Sequence, residues 1–389
     1  MSVSTEAAPS LAPSAAYSRA AGAVRLTHEL VTGEAWDEII AGFDEACQEQ
    51  MHVFAQSRWP GVVQEPVVFR RNGEVVGGTM VMVQRLPLGV GAIAITKWGP
   101  MLRDTAAPDA DELHDAMIEC LIGEYAERRR MMLSVLPRAA LFSPNRRYDA
   151  LIRRGFRPGS ELLFPDRYIV NLRLDDDGLR KSFHQKWRYH LNKSLKQGLD
   201  FEHATAERME DFHMLYNAMT DRKQFPDHSA YGTVDELMTM DPEALRPELF
   251  FVRKDEALVA GAIIFKAGDR AVYLYGATSD QALPLRAGYF LHWHIIRWLR
   301  DNTCADWYDL GGTDGFQGLH QFKKGMVGTA GVIQPVPPVA NYAASRFAYL
   351  TGLGAFAARD AFHQVRRHVD GWRNPKARPD QERRAGDTE

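Results

Sequence analysis

The chain has 389 residues, of which 45% are apolar and 25% charged, and its formal net charge is −3. This is an ordinary globular composition, and the length predicts two domains. The charge balance excludes a large, uniformly basic nucleic-acid-binding face and leaves room for a local basic groove. The three cysteines, Cys47, Cys120 and Cys304, lack metal-ligand spacing, which argues against a zinc site or a disulfide framework.

The two ends of the chain predict disorder. Residues 1–23 are rich in Ala, Ser and Pro and lack the basic and apolar regions of a secretory signal, and residues 373–389 are polar. No stretch is long and apolar enough for a transmembrane helix. We therefore expect a cytoplasmic protein, with peripheral contact at the inner face of the membrane left open.

Two similar hairpins, residues 67–82 and 249–265, indicate an internal repeat. Each consists of a β-rich run, a tight turn, a glutamate and a second β-rich run containing glycine. The turns are Asn72-Gly73 and Lys254-Asp255, and Asn-Gly between two such runs is a strong hairpin signal.

The segments around each hairpin follow one order, which is helix, hairpin, strand, helix and strand. In the first half, the helix before the hairpin is residues 35–45, and the strand, helix and strand after it are residues 92–97, 111–128 and 131–136. In the second half, the same elements are residues 206–222, 271–276, 287–300 and 307–310. The shared order is that of the GNAT acetyltransferase domain. We predict an α/β (α+β) protein of two tandem GNAT-like domains, with mixed central sheets flanked by helices.

The predicted boundaries place the first domain at 24–165 and the second, with the catalytic centre, at 166–337. A C-terminal helical segment, 338–372, follows. Its apolar and arginine residues form an amphipathic pattern that either docks onto the second domain, which we favour, or lies on a membrane. Gly352 and Gly354 weaken its helix propensity.

Residues 179–196 predict one basic amphipathic helix. Its apolar stripe recurs every four residues, and its basic residues lie largely off that stripe. The basic surface is either a solvated face or an anion site centred on Lys186-Trp187-Arg188, because the planar guanidinium of Arg188 suits phosphate oxygens.

Two further clusters lie in the second half. Strand alternation places Tyr273 and Tyr275 on one face of the sheet. They either pack in the core or at its rim or face a ligand, whose close approach Gly276 after them would suit. The second cluster joins Trp307-Tyr-Asp-Leu-Gly-Gly312 to Leu319-His-Gln-Phe-Lys-Lys-Gly325.

Together these landmarks resemble the Fem-type family (FemA, FemB and FemX proteins), which adds amino acids from aminoacyl-tRNA to peptidoglycan precursors. The resemblance runs from about residue 50 to 336. Its landmarks, in order, are Gln56-Ser57 with Trp59, Gly99-Pro100, Lys186-Trp187-Arg188, Tyr273-Leu274-Tyr275, Tyr308-Asp-Leu-Gly-Gly312 and Phe322-Lys323. The long helical arm of some members is absent, because residues 207–246 are too short and lack heptads.

The resemblance implies roles for individual residues. Lys323 of the Phe322-Lys323 element would lie at the reacting centre, where its ammonium can stabilise an oxyanion. Arg188 would bind phosphate of the acceptor, with Lys186 as a weaker candidate.

Other roles implied by the resemblance concern the acceptor. Tyr275 would contact it, with Tyr273 behind. Asp309 is a candidate base or turn residue, and Asp104 is the acidic residue that follows the Gly-Pro element, after Met101-Leu-Arg103. No lysine follows Trp59, where the family often has one, so the acceptor stays open.

The donor implied by the resemblance is aminoacyl-tRNA, with no bound cofactor and no metal. Coenzyme A is disfavoured, because Arg286-Ala-Gly288 has the wrong spacing for a pyrophosphate loop and Tyr289 would obstruct the groove. The expected partners are thus aminoacyl-tRNA and a UDP- or lipid-linked peptidoglycan precursor, but not DNA. Two alternatives stay open: an N-acyltransferase that uses acyl-CoA or an acyl carrier on a polysaccharide or lipid intermediate, and a tandem-GNAT binding module without catalysis.

Overall fold

The computed structural model describes residues 24–223 and 230–373. The predicted leader, 1–23, and nearly all of the predicted tail, 374–389, lie outside the described residues. The described chain forms two mixed sheets flanked by helices, which confirms the predicted fold class.

The first sheet contains eight strands in the order β1-β2-β3-β4-β6-β15-β7, with β5 beside β3. They are β1 (Thr27–Leu30), β2 (Val63–Arg71), β3 (Glu74–Arg85), β4 (Ala92–Lys97), β5 (Met101–Leu102), β6 (Met132–Leu136), β7 (Arg157–Pro158) and, from the end of the chain, β15 (Ala340–Tyr342). The helices of this half are α1 (Gly33–Ile40), α2 (His52–Arg58), α3 (Ala110–Leu121), which continues as a π-helix (Ile122–Arg128), and α4 (Arg146–Arg153).

The second sheet contains seven strands in the order β14-β8-β13-β12-β11-β10-β9. They are β8 (Asp166–Asn171), β9 (Leu199–Ala204), β10 (Glu248–Lys254), β11 (Ala257–Phe265), β12 (Arg270–Thr278), β13 (Trp307–Asp309) and β14 (Val332–Pro335). The helices of this half are α5 (Asp176–Ser182), α6 (Gln185–Ser194), α7 (Met209–Lys223), α8 (Val234–Thr239), α9 (Ala282–Leu285), α10 (Ala287–Asn302) and α11 (Gln317–Val327), and α12 (Arg346–Arg373) ends the described chain.

The two sheets share one arrangement. The run β2-β3-β4 is antiparallel and β6 joins it in parallel after α3, while β10-β11-β12 is antiparallel and β13 joins it in parallel after α10. Both hairpins carry a register shift just before the turn, at Phe69/Arg70 and at Val252/Arg253. Asn72 and Gly73 both have positive φ, 53° and 87°, as the tight hairpin turn requires. The predicted repeat is therefore present in the fold.

The predicted helix over 179–196 is wrong in one respect, because it is divided into α5 and α6. Phe183 is extended at the break, with ψ 147°. Arg188 Nη1 donates hydrogen bonds to the carbonyl oxygens of Lys181, at 3.1 Å, and of Phe183. These hydrogen bonds satisfy backbone carbonyls at the C-terminal end of α5. The apolar stripe still enters the core on both sides of the break, through Leu179, Phe183, Trp187 and Leu191.

The C-terminal segment packs on the first half, so the favoured docking onto the second domain is wrong. Strand β15 inserts between β6 and β7, and Asn341 Oδ1 accepts a hydrogen bond of 2.7 Å from Ser134 Oγ. Helix α12 then contacts β4 and β6, with Tyr349, Ala355 and Phe356 in a small core beside Met132. Helix α12 is continuous through both glycines that weakened its predicted helicity.

An apolar seam joins the two halves. One core cluster contains Trp36, Phe43 and Trp98 from the first half and Leu237 and Phe265 from the second. Because the cluster is shared, the two halves pack against each other, and Trp98 of this seam lies beside Arg167 of the candidate site.

Candidate functional site

The second sheet opens between β12 and β13. The two strands pair only from Arg270–Val272 to Trp307–Asp309, although β12 continues to Thr278. Beyond Val272 the edge of β12 that faces β13 has no strand partner within the described chain. The side chain of Lys323 reaches this opening from α11.

Lys323 is held by the turn that follows β13. Its Nζ donates hydrogen bonds of 2.6 Å to the carbonyl oxygens of Leu310 and Gly312, and it lies 5.8 Å from the ring centroid of Tyr273. The side chain is buried, with 5% of its surface exposed. An ammonium has three N–H donors, so one is left for an oxygen of a bound molecule.

Burial, and then the nearby guanidinium of Arg167, lower the pKa of Lys323 to about 8. The carboxylates of Asp314 and Asp309 oppose this shift. The ammonium is therefore largely protonated at neutral pH, and a small change in its surroundings changes its charge. A positive group in a water-poor opening is suited to stabilising an oxyanion.

An aromatic group formed by the half-buried Tyr273 and the buried His292 and Tyr308 lines the opening. Tyr273 packs edge-on against His292, with ring centroids 5.0 Å apart, and a hydrogen bond of 3.1 Å joins His292 Nδ1 to Tyr308 Oη. Burial, with the charge of Lys323, lowers the pKa of His292 to about 3, and burial raises the pKa of Tyr273 to about 12. Both rings are thus neutral at physiological pH. A Cβ on Gly276 would lie 1.6 Å from Tyr273 Oη, so glycine is needed where this hydroxyl crosses the strand.

Tyr275 lies on the opposite face of the sheet from Tyr273, which contradicts the prediction from strand alternation. The register of β12 against β11 shifts by one residue: Ile263 pairs with Tyr275 and Ile264 with Tyr273. Leu274 is the additional residue of this β-bulge, which reverses the alternation. Tyr275 packs with Tyr231 in a separate core, at 5.3 Å between ring centroids.

Asp309 lies at the same turn, where it binds cations and the backbone. Both carboxylate oxygens accept hydrogen bonds from Arg167 Nε, at 3.1 and 3.2 Å, and Oδ1 accepts one of 2.9 Å from the N–H of Gly311. Burial alone would raise the pKa of Asp309, but Arg167, Arg270 and the Gly311 hydrogen bond hold it below its usual range. Asp309 is therefore an ionised structural carboxylate that fixes the turn, and it is poorly placed to act as a base.

Two other predicted site residues, Phe322 and Asp104, lie in different surroundings. Phe322 is half-buried and packs with His292 and Tyr289, at 5.6 and 4.9 Å between ring centroids, so it belongs to the same aromatic group. Asp104 is exposed, and its Oδ1 accepts a hydrogen bond of 2.8 Å from the N–H of Ala106 in its own turn.

The basic residues of α6 lie beside the start of α10. Lys186 is exposed, while Arg188 is half-buried by its contacts with the end of α5. Burial and the charges of Arg286, Lys186 and Lys193 lower the pKa of His190. Arg286, Lys186 and Lys193 therefore form a local basic patch, although the formal net charge of the whole chain is negative.

Sequence reasoning missed two residues of the opening, Arg167 and His292. Arg167 is the second residue of β8, and its guanidinium lies 5.4 Å from the ring centroid of Trp98 across the seam. The only local signal was a charged residue at the start of a strand. His292 lies inside α10 and resembled an ordinary core histidine.

Two features are absent from the described residues. No group of three metal-ligating side chains occurs in residues 24–223 and 230–373. Within the same ranges, no helix has the length and apolar character needed to cross a bilayer.

The comparisons with known proteins agree with the geometry. Residues 181–324 match the family model described as acetyltransferase (GNAT) domain, a range that runs from the end of α5 into α11 and includes Lys323. A search of curated protein sequences finds no significant match.

Several solved structures share the fold. The structure of FemX is 18% identical, with a TM-score of 0.65, and the match covers 83% of this chain and 99% of that one. The C-terminal domain (DUF2156) of a putative lysylphosphatidylglycerol synthetase from Agrobacterium fabrum is 14% identical (TM-score 0.51, 83% and 95% covered). L-PGS from Bacillus licheniformis is 12% identical (TM-score 0.50, 82% and 95% covered). The chain therefore has the Fem-type tandem GNAT fold, and its second half carries the match to the GNAT acetyltransferase domain.

Proposed function

We propose that the protein transfers an aminoacyl group from aminoacyl-tRNA to an amine of a peptidoglycan precursor, with Lys323 at the reacting centre. The observation that carries the proposal is the buried ammonium of Lys323, held by two carbonyl oxygens with one donor left at the opening between β12 and β13. The match of residues 181–324 to the acetyltransferase (GNAT) domain supports transfer of an acyl group as the reaction class.

The chemistry that suits this site is aminolysis of an ester. The amine of the acceptor attacks the acyl carbon, a C–N bond forms, and the oxygen of the carbonyl becomes an oxyanion. The oxyanion then re-forms the carbonyl as the C–O bond to the ribose breaks, and the proton lost by the amine is taken up by the departing ribose oxygen. The remaining N–H of Lys323 stabilises the oxyanion, and a preorganised cation in a buried site is worth more than one in water.

The surroundings of α10 support aminoacyl-tRNA rather than coenzyme A as the donor. Tyr289, in the first turn of α10, packs between Trp187 and Phe322, with ring centroids 5.2 and 4.9 Å away. These rings pack at the start of α10, and we infer that Tyr289 there would obstruct the groove for a coenzyme pyrophosphate. The basic patch beside it provides charges for the phosphates of an RNA acceptor stem.

The Fem-type resemblance supports a peptidoglycan precursor as the acceptor, with its phosphates near Arg188. Arg188 Nη1 already donates to backbone carbonyls, so the phosphates would bind through the remaining donors of the guanidinium. Lys186 is exposed and lies two residues before Arg188, so it adds a second positive charge to the first turn of the same helix.

A thermal-shift titration tests the acceptor and the donor together. The ligands are a UDP-linked MurNAc-peptide, coenzyme A and a control nucleotide, each added to wild type, Arg188→Ala and the exposed control Arg173→Ala. A ligand at about 100 times its dissociation constant stabilises the protein by about 2.7 kcal/mol, which moves the melting temperature measurably. We expect stabilisation by the UDP-peptide alone, lost only in Arg188→Ala. Stabilisation by coenzyme A would instead favour an acyl-CoA-dependent N-acyltransferase, and no stabilisation would argue against a UDP-linked acceptor.

A further inference from the structure

Two cations converge on the open space above Gly311. A Cβ placed on Gly311 would lie 3.9 Å from Arg167 Nη1 and 3.9 Å from Lys323 Nζ, and it would meet no other heavy atom of the described chain within 4 Å, apart from its own neighbours in sequence. Gly311 has a φ of +76° and is half-buried, so the space opens to solvent. Glycine thus leaves a niche whose nearest groups are a guanidinium and an ammonium.

Both cations have donors left for a ligand in this niche. Arg167 uses Nε for Asp309, and within residues 24–223 and 230–373 its Nη1 and Nη2 make no hydrogen bond. Lys323 has one N–H beyond its two carbonyl partners. The two nitrogens lie at most twice 3.9 Å apart. A single oxygen bridges them when they are within about 6 Å, and the two oxygens of a carboxylate bridge a wider separation.

The local charges favour an anion. Arg167 and Lys323 lie near the carboxylates of Asp309 and, on the exposed side, Asp314. A deeper group of charges, formed by Arg138, Arg270, Asp269 and Glu45, adjoins Asp309. Arg270 contributes little to a ligand, because it is buried and donates through Nη1 to the carbonyl oxygen of Ala139. An anion in the niche would thus meet two cations directly, whereas Asp309 contacts Arg167 only through Nε.

Both cations of the niche are held in place by other groups of the protein. Asp309 holds Arg167 through Nε, and the ring of Trp98 lies 5.4 Å from the guanidinium, so both halves of the protein fix its direction. Lys323 is fixed from the other side by the carbonyl oxygens that flank Gly311 in sequence.

We propose that Arg167 and Lys323 together bind one carboxylate in the niche above Gly311. During transfer the same place would receive the oxygen of the acyl carbonyl, and only this part of the inference rests on the proposed function. Arg167 is then a second ligand-binding cation of the site.

The test is a titration of the protein with sodium acetate at constant ionic strength, followed by NMR of lysine side chains labelled at Cε and Nζ. The Lys323 signal, assigned by its absence in Lys323→Arg, is expected to shift saturably with acetate in wild type. Arg167→Met is expected to bind acetate at least about tenfold more weakly, because it loses one charge-assisted hydrogen bond to the ligand.

Arg173→Met is the matched control. Arg173 also pairs with an aspartate, Asp306, and lies 5.3 Å from the ring centroid of Trp307, but it is exposed and remote from Lys323. The Arg173→Met variant should bind acetate as tightly as wild type does. Because Arg167→Met leaves Asp309 buried without its main partner, Arg167→Met/Asp309→Asn provides a second variant in which neither charge remains, and the same weakening is expected.

Three results would overturn the inference: no saturable shift in folded wild type, unchanged acetate binding in either Arg167 variant, or saturable binding of inorganic phosphate with none of acetate. The measurement requires no acyl donor, so a failed transfer assay leaves it standing. Likewise, transfer activity without acetate binding would refute the niche and leave the proposed function intact.

Discussion

Replacement of Lys323 by Met should change how the stability of the protein depends on pH. The folded-state pKa of Lys323 is about 8, against an ordinary value of 10.5, chiefly because the ammonium is buried. Between these values the unfolded chain binds more protons at this position than the folded chain does. The free energy of unfolding of wild type therefore rises with pH in this window, relative to a variant that has no amine there.

The size of the effect follows from the two pKa values. Each unit of pKa difference corresponds to about 1.4 kcal/mol, and integration from pH 7 to about pH 9.5 gives a relative gain of about 2 kcal/mol for wild type. The variant also loses the hydrogen bonds to Leu310 and Gly312, which costs about 1–3 kcal/mol at every pH. Only the change with pH is therefore diagnostic of the buried ammonium.

The assay is urea denaturation of wild type and Lys323→Met at several pH values between 7 and 9.5. Lys324→Met, an exposed neighbour on α11, is the control and should give a curve parallel to that of wild type. Titration of the other lysines and tyrosines cancels in the difference between the curves. If the Lys323→Met curve also ran parallel to wild type, the folded-state pKa would be ordinary and the reasoning about the buried ammonium would be refuted.

Two further substitutions test the packing that positions the site. Gly276→Ala places a methyl group 1.6 Å from Tyr273 Oη, so we expect a loss of about 1–3 kcal/mol by urea denaturation, whereas Gly354→Ala, with open space around it, should not destabilise. Equal stability of the two variants would contradict the position of the hydroxyl. Phe265→Ala removes a fully buried ring from the seam and should cost about 3–5 kcal/mol, whereas Leu283→Ala, at a residue with 74% of its surface exposed, should stay within about 0.5 kcal/mol. A small effect of Phe265→Ala would mean that the two halves do not share this core.

The fold was largely predictable because its signals are local. The hairpin turns, the strand β4 (Ala92–Lys97) and the start of α10 at Ala287 follow from turn chemistry and periodicity. The position of β15 was not predictable in this way, because it pairs with β6, about 200 residues earlier in the sequence. A three-residue strand carries too little pattern to identify a partner at that distance.

The site was predictable in part. Lys323 came from an ordered set of motifs, and the roles assigned to it and to Arg188 stay predictions. Tyr275 was placed on the wrong face because the sequence of β12 gives no sign of the one-residue bulge at Leu274. Arg167 was missed because its role depends on its contact with Trp98 from the other half and on its position beside Gly311. Only the tertiary structure brings these three residues together.

The most direct test of the central claim is a transfer assay with a radiolabelled pool of aminoacyl-tRNA and a UDP-linked peptidoglycan peptide, comparing wild type, Lys323→Met and Lys324→Met. Loss of one oxyanion donor lowers kcat by about 100- to 1,000-fold, so we expect label in the peptide with wild type and Lys324→Met and a decrease of that order in Lys323→Met. Transfer by Lys323→Met at the wild-type rate, or no transfer by folded wild type, would contradict the account.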